Sequence, residues 1–180
     1  MNVKFLKSAL FALVILFSAF YASAARVSES DVKKCYMVEL KGSQSTDVIK
    51  ITALPGESKS TKGMAFVTLP GGKEYTVRGF KYIVSGGAEG CFGVVENLYY
   101  NGRTYNVVSL MVALEVDQRG FVNVIYTISD GENTFVEKTF TFSQVKYTDL
   151  NRNSYIDNEW STGFLSFECW LKSHIEEYEE

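Results

Sequence analysis

The chain has 180 residues, of which 46% are hydrophobic, 22% charged and 14% aromatic, with only 2 Pro and 14 Gly. This composition excludes collagen-like, mostly disordered and polytopic membrane chains, and the length predicts one packed domain. A formal net charge of -3 and a single His argue against a surface that coats nucleic acid and against sites built from several histidines.

The first 25 residues have the pattern of a secretory signal peptide. Lys4 and Lys7 provide a positive start, residues 9–17 are an unbroken apolar run, and the small residues at 22–25 offer a cleavage site. An uncleaved membrane anchor is the weaker alternative, because polar residues cut the apolar core below the ~20 residues that a span needs. We expect a cleaved signal peptide at 1–25 and a single all-β domain at 26–180.

Export has consequences for charge and for the cysteines. Cleavage removes two lysines and no acid, so the formal charge of the mature domain falls from -3 to -5. In an oxidising compartment, two of Cys35, Cys91 and Cys169 are expected to form one disulfide, and the sequence leaves all three pairings open. No Asn begins an Asn-x-Ser/Thr sequon, which favours a bacterial periplasmic or secreted location.

The first half of the mature domain is a series of short strands. Runs rich in Val, Ile, Phe and Tyr at 35–40, 48–54, 64–69 and 75–84 are separated by polar connectors rich in Gly and Ser. Within the last run, the apolar residues change from odd to even positions at Gly79. One extra residue explains such a change, so the pattern predicts a β-bulge near Gly79.

The second half predicts an antiparallel meander. Asn101-Gly102 suits a type I′ turn between strands at 92–100 and 104–116, and further turns are predicted at 117–120 and 130–133. The strand at 104–116 would span roughly 40 Å, so it must coil around a barrel or bend between two sheets. The sequence therefore predicts an antiparallel β-sandwich or β-barrel of about eight or nine strands, without separating the two.

The C-terminal segment from residue 164 is compatible with two structures. As a strand, its alternating apolar residues direct Cys169 inward. As a helix, Phe164, Phe167 and Leu171 share one face, and Glu168 and Lys172 form a favourable i,i+4 pair. We expect a strand to about Leu171, followed by a short helical or frayed acidic tail.

One segment resembles a calcium loop. Asp149, Asn151, Asn153 and Asp157 occupy loop positions 1, 3, 5 and 9, and Tyr155 would supply the carbonyl at position 7. The pattern departs at position 6, which is Ser instead of Gly, and at position 12, where Trp160 replaces the carboxylate. A polar connector with Asx turns is the competing interpretation, and calcium is the only cofactor that the sequence suggests.

Signals for catalysis are weak. The lone His174 lies in an acidic tail, and on a strand it would face away from Cys169. The glycine-rich stretch at 86–93 lacks the Lys-Ser/Thr ending of a phosphate loop and is expected to be a flexible connection. Tyr99, Tyr100 and Trp160 are candidates for exposed aromatic contacts with a protein or a sugar, although packing against neighbouring strands is the commoner role.

Together these observations predict an exported, non-catalytic β-domain that binds a protein or glycan partner, with no nucleic acid and no membrane span after cleavage. The alternative is a lipocalin-like barrel that carries a small apolar ligand. Against it, both tryptophans lie in the last 21 residues, so the Gly-x-Trp of such carriers near the first strand is absent.

Overall fold

The computed structural model describes residues 27–53 and 63–179. The predicted signal peptide and most of the polar connector before Met64 lie outside these residues. The described chain contains twelve elements in this order: α1 Glu29–Lys33, β1 Cys35–Gly42, β2 Val48–Ala53, β3 Met64–Thr68, β4 Glu74–Ser85, β5 Ala88–Tyr100, β6 Arg103–Val116, β7 Val122–Ser129, β8 Thr134–Asp149, β9 Ser154–Asp157, α2 Trp160–His174 and β10 Glu176–Glu177.

The strands form a closed antiparallel barrel. Each strand from β1 to β8 pairs with the next, and β8 returns to pair with β1, as in Val38↔Tyr147 and Leu40↔Val145. Two extra strands lie outside this ring, because β9 pairs with β8 and β10 pairs in parallel with β4. The predicted all-β antiparallel fold is confirmed, and of the two architectures left open the chain adopts the barrel.

Alternation of side chains explains how the barrel acquires its core. On β6, Leu110, Val112 and Leu114 are buried. Val107 and Glu115, at odd positions on either side of them, face outward and are exposed. Successive side chains of a strand point to opposite faces, so one set of residues fills the interior. At 14 residues β6 is long for a strand, and the curvature of a barrel accommodates it.

The predicted turns are confirmed. Asn101 has φ 46° and Gly102 has φ 78°, both in the left-handed region that a type I′ turn requires. In the next two hairpins an aspartate side chain closes the turn. The Oδ1 atom of Asp117 accepts hydrogen bonds from two backbone N–H groups, and the Oδ1 atom of Asp130 does the same.

The bulge predicted at Gly79 is also confirmed. The pairing of β4 with β5 shifts by one residue between Arg78↔Val94 and Lys81↔Phe92, and Gly79 lies in the shift with φ 60°. The extra residue moves the buried side chains of β4 from Tyr75 and Val77 to Phe80 and Tyr82.

The expectation for the glycine-rich stretch at 86–93 is wrong. Strand β5 begins at Ala88, so only Gly86 and Gly87 form the connection. Gly90 and Gly93 lie within the strand. Glycine is required at both positions because neighbouring atoms leave no room for a side chain. A Cβ on Gly93 would lie 2.5 Å from Val77 Cγ1 and 2.8 Å from the Arg78 carbonyl oxygen.

The expectation of a strand to Leu171 is wrong as well, since this segment is helix α2. The helix presents Phe167, Trp170 and Leu171, spaced at i, i+3 and i+4, to the core, and all three are fully buried. Lys172 and Glu168 form the ion pair expected of the helical alternative. The Trp170 indole N–H donates to the Cys35 carbonyl oxygen at 2.9 Å, which ties α2 to the start of β1.

Helix α2 covers one end of the barrel. In an up-and-down barrel the odd strands begin, and the even strands end, at the same end. Helix α2 contacts the start of β1, the ends of β4 and β8, and β5, and it also packs on α1. Among the described helices, none combines the length and the apolar character needed to cross a membrane.

Candidate functional site

The wall of the barrel is open between β4 and β5 at the end opposite α2. Their pairing stops at Arg78↔Val94, although β4 continues back to Glu74 and β5 continues on to Tyr100. A groove of about 360 Å³ occupies the opening. We call it the rim groove, and it is lined by Lys73, Glu74, Tyr75, Thr76, Arg78, Val95, Glu96 and Asn97.

A kink at Asn97 opens the groove. This residue has φ 54°, a left-handed conformation that is uncommon for any residue other than Gly. The buried side chains of β5 occupy odd positions up to Val95 and then change to Leu98, while Tyr100 packs on the core. Beyond Asn97 the tip of the β5–β6 hairpin therefore bends over the mouth of the barrel and away from β4.

Tyrosine side chains hold the bent hairpin in place. The Tyr75 hydroxyl, on β4, donates to the Tyr99 carbonyl oxygen across the opening. The hydroxyls of Tyr100 and Tyr126 lie 2.8 Å apart, and their rings meet edge to face. Burial raises the pKa of both Tyr75 and Tyr126, so these phenols stay protonated and can donate.

Main-chain groups of β5 face the opening. The two-residue turn after Tyr100 closes on the pair Tyr100↔Arg103, which exchanges both of its backbone hydrogen bonds. Strand geometry alternates from this pair, so the N–H and C=O of Tyr99 point away from β6 and toward β4. The bond from the Tyr75 hydroxyl to Tyr99 agrees with this direction.

Charged and aromatic side chains border the groove. Arg78 Nη1 and Glu96 Oε1 lie 3.8 Å apart at its outer edge, and both side chains are more than half exposed. The Tyr99 side chain is 50% exposed. Lys73 Nζ lies 4.8 Å from the centroid of the Tyr99 ring and 5.4 Å from that of Tyr75, which is within the range of a cation–π contact.

The three aromatic residues singled out from the sequence are in three different situations. Tyr99 borders the rim groove, whereas Tyr100 packs against the core with its hydroxyl on Tyr126. Trp160 is 53% exposed but begins α2 at the other end of the barrel. Of the three, Tyr99 therefore has an exposed ring beside the groove, next to the lining residue Lys73.

The Asp149 loop is a tight turn between β8 and β9. Asp149 Oδ1 accepts from the backbone N–H groups of Asn151 and Asn153, both at 2.9 Å, and Oδ2 accepts from the Asn153 side-chain amide at 2.9 Å. The Asn153 side chain, followed by these backbone donors, holds the pKa of Asp149 below its usual value. Asp149 is thus saturated by donors from its own turn.

The other proposed calcium ligands do not converge on Asp149. Tyr155 lies on β9, with its hydroxyl 3.5 Å from Asp149 Oδ2. Asp157 pairs with Val145 at the far end of β9, and its Oδ1 accepts from Thr162 Oγ1 at 2.6 Å. Within 27–53 and 63–179, no three His, Cys, Asp or Glu residues come together in a way that could hold a metal. Calcium binding stays a prediction.

The expected disulfide is not present, because all three cysteines are free thiols. Cys35 and Cys91 lie on β1 and β5, which are four strands apart in either direction around the barrel. Each thiol instead contacts a nearby carbonyl oxygen, that of Asp31 for Cys35 and that of Val112 for Cys91. Cys169 lies on α2 and is partly buried.

His174 has a packing role at the end of α2. Its ring stacks on Trp170 with centroids 5.1 Å apart, and its Nδ1 atom lies 2.9 Å from the Trp170 carbonyl oxygen. Burial lowers its pKa, so the ring is neutral at pH 7. This arrangement favours stability of the helix end over any pairing with Cys169.

Sequence reasoning missed Glu89 and Asn97. Glu89 lies in the glycine-rich stretch, yet it is 1% exposed. No local pattern signals its burial, because a β5 start at Ala88 depends on pairing with β4 and β6.

No family model, curated protein or solved structure matches this chain.

Proposed function

We propose that this protein is an exported, non-catalytic binding module whose rim groove holds an extended segment of a partner protein. The observation that carries the proposal is the break between β4 and β5, where two main-chain edges face an opening instead of each other. Export is part of the proposal and rests on the signal pattern of residues 1–25.

An extended peptide matches the chemistry of such an opening. A strand edge offers alternating N–H and C=O groups, and peptides add to exposed edges through main-chain hydrogen bonds. Tyr99 supplies these groups on β5, and the Tyr75 hydroxyl occupies the Tyr99 carbonyl until a partner N–H replaces it. The partner therefore exchanges one hydrogen bond for several.

Side chains at the groove supply the remaining contacts. The exposed Tyr99 ring and the Lys73 ammonium above it form a flat, amphipathic surface beside the opening. Aromatic anchors of this kind contribute much of the affinity at protein interfaces. The Arg78–Glu96 pair at the outer edge presents one charge of each sign, so it favours a polar partner without selecting its net charge.

The apolar carrier receives less support from the same structure. Side chains that point into the barrel, among them Val67, Val77, Val112, Leu114 and Val124, are at most 1% exposed. A cavity that holds a ligand leaves its lining accessible to a water-sized probe, and these side chains are packed against one another instead.

Selection from a phage-displayed library of random peptides tests the proposed function. We expect enriched peptides to bind the mature protein and to lose at least tenfold in affinity with Tyr99→Ala and with Lys73→Ala. Phe121→Ala, which removes an exposed ring from the β6–β7 turn at the other end of the barrel, is the matched control and should bind like the wild type.

Two outcomes would contradict the proposal. One is the absence of any enriched peptide, or enrichment of peptides whose binding the groove variants leave unchanged. The other is turnover of a glycan, ester or peptide by the purified protein that a single carboxylate substitution abolishes.

A further inference from the structure

A buried carboxyl group lies between the covered end of the barrel and helix α2. Glu89, the second residue of β5, is 1% exposed and points into the barrel, in line with the buried Cys91. Its Oε2 atom is buried and receives no hydrogen bond from the described residues. An ionised carboxylate without a donor is costly at such a depth, so the group is better satisfied when it carries a proton.

The carboxyl group of Glu168 on α2 is the natural acceptor for that proton. Helix α2 packs on β5, and Glu168 is the charged group with the largest effect on Glu89. Lys172, one turn further along the helix, already pairs with Glu168 and leaves that carboxylate ionised. A protonated Glu89 can therefore donate to an ionised Glu168, and one proton joins the barrel to the helix.

We propose that the proton shared by Glu89 and Glu168 latches α2 onto the barrel, and that the helix is held less tightly as the solution becomes alkaline. Without the proton, the buried carboxylate of Glu89 would face the partly exposed carboxylate of Glu168, beside the exposed ammonium group of Lys172. The resulting repulsion acts on the element that holds Phe167, Trp170 and Leu171 in the core.

The electrostatic environment of Glu89 sets the pH range over which the docking of α2 weakens. Burial, followed by the charge of Glu168, raises the pKa of Glu89 to about 9. In the unfolded chain a glutamate has a pKa of about 4.3. The native state therefore holds a proton that the unfolded state has lost, and stability falls as pH rises between these two values.

The two tyrosines near Glu89 do not change their charge in the pH range over which Glu89 loses its proton. Tyr147 on β8 faces the same region and donates to Ser166, and Tyr82 on β4 faces Glu168 and Lys172. Burial raises the pKa of both phenols above its ordinary value, so both remain neutral up to pH 9. The remaining neighbours on α2 and β10 are the Cys169 thiol and the carboxylate of Glu177, which lies 3.3 Å from the Tyr82 hydroxyl.

The tryptophans provide a reporter that is specific for the latch. Both of the chain's tryptophans lie on α2, and Trp160 is exposed while Trp170 is fully buried. In a Trp160→Phe background, the emission maximum of Trp170 reports whether the helix is docked. Far-ultraviolet circular dichroism follows the strands of the barrel in parallel.

The experiment is a urea titration of the mature protein in the Trp160→Phe background at a series of pH values from 6 to 10.5. We expect the urea midpoint of the Trp170 red shift to fall as pH rises toward 9 and to level off above it, whereas the midpoint of the strand signal changes less. Glu89→Gln, which donates to Glu168 at every pH, should abolish this pH dependence. Glu168→Gln should abolish it too, because Lys172 is then free to pair with an ionised Glu89.

Glu115→Gln is the matched control, because Glu115 pairs with Ala88 beside the latch but faces outward and is exposed. We expect this variant to titrate like the parent. The proposal is overturned if the parent's urea midpoint for Trp170 does not fall between pH 6 and pH 9, or if Glu89→Gln and Glu168→Gln both retain the parent's pH dependence. Using two variants keeps the test decisive even if one of them folds poorly.

Discussion

At the residue scale, the conformation of Asn97 decides whether the barrel wall closes. Its φ of 54° turns β5 away from β4, and the pairing of the two strands stops three residues earlier at Val94. A left-handed conformation costs an ordinary residue about 1–2 kcal/mol, and Asn tolerates it better than most. Sequence patterns do not reveal this kink, because Asn occurs widely in turns and within polar positions of strands.

Substitution at Asn97 therefore distinguishes a strained site from an ordinary strand position. We expect Asn97→Ala to reduce the free energy of unfolding by about 1 kcal/mol, because Ala lacks the side-chain amide whose local hydrogen bonding lets Asn tolerate the left-handed region. Asn97→Gly should change it by less than about 0.5 kcal/mol, because Gly adopts that region freely at the cost of a more flexible unfolded chain. Urea denaturation measures both values, and equal effects of Ala and Gly would contradict the assignment of strain.

Asp149 provides a second prediction at this scale. Its carboxylate holds the β8–β9 turn through Asn151 and Asn153, so Asp149→Ala should lower Tm in calcium-free buffer at pH 7. The lowered pKa of Asp149 means that its contribution is present above about pH 4 and is lost as pH falls through the lowered value. The variant should therefore show a weaker loss of stability in acid.

The same melting experiment tests calcium. If the turn is complete without an ion, millimolar calcium should leave Tm unchanged in the wild type. A rise in Tm with calcium that Asp149→Ala abolishes would instead support the calcium prediction, because a ligand that binds the native state must stabilise it.

At the scale of elements, the sequence correctly predicted the turns and the bulge, because their conformation is determined by the residues within them. Asn101-Gly102 and the aspartates at 117 and 130 determine their own turns, and Gly79 marks its own bulge. Helix α2 was missed because its apolar residues fit both periodicities over a short run. The covered end of the barrel selects the helix, since Phe167, Trp170 and Leu171 pack there together.

The glycine-rich start of β5 was missed for a different reason. Gly90 and Gly93 are needed by neighbouring strands that approach closely, and composition alone does not distinguish this need from flexibility. We expect Gly93→Ala to lower the free energy of unfolding by about 1–3 kcal/mol, because the added Cβ meets the backbone of β4.

Ser109→Ala is the control for Gly93→Ala. Ser109 pairs with Val94, next to Gly93 in the same part of the sheet, but its side chain points outward. The control should change stability by less than about 0.5 kcal/mol. Chemical denaturation of the two variants checks the prediction, and a Gly93→Ala protein as stable as the control would show that the strands can separate at little cost.

At the scale of the whole molecule, barrel closure depends on contacts that no local pattern encodes. The pairing of β1 with β8 joins residues 100 or more positions apart, such as Leu40 and Val145. Alternating apolar residues fit a sandwich equally well, so the sequence predicted the strands and their antiparallel order without predicting closure. The rim groove could not be predicted either, because it is a gap in the closed barrel and its position depends on where the pairing of β4 with β5 stops.

The proposed function requires the gap between β4 and β5 to be open in solution. Amide hydrogen exchange of ¹⁵N-labelled mature protein, followed by NMR, examines it residue by residue. The amides of Leu98 and Tyr100 face β6 and should be protected. That of Tyr99 faces the opening and should exchange rapidly, then become protected when a peptide selected on the protein is added. Protection of Tyr99 equal to that of Leu98 and Tyr100 in the free protein would mean that the barrel wall is closed there and would contradict the proposed binding site.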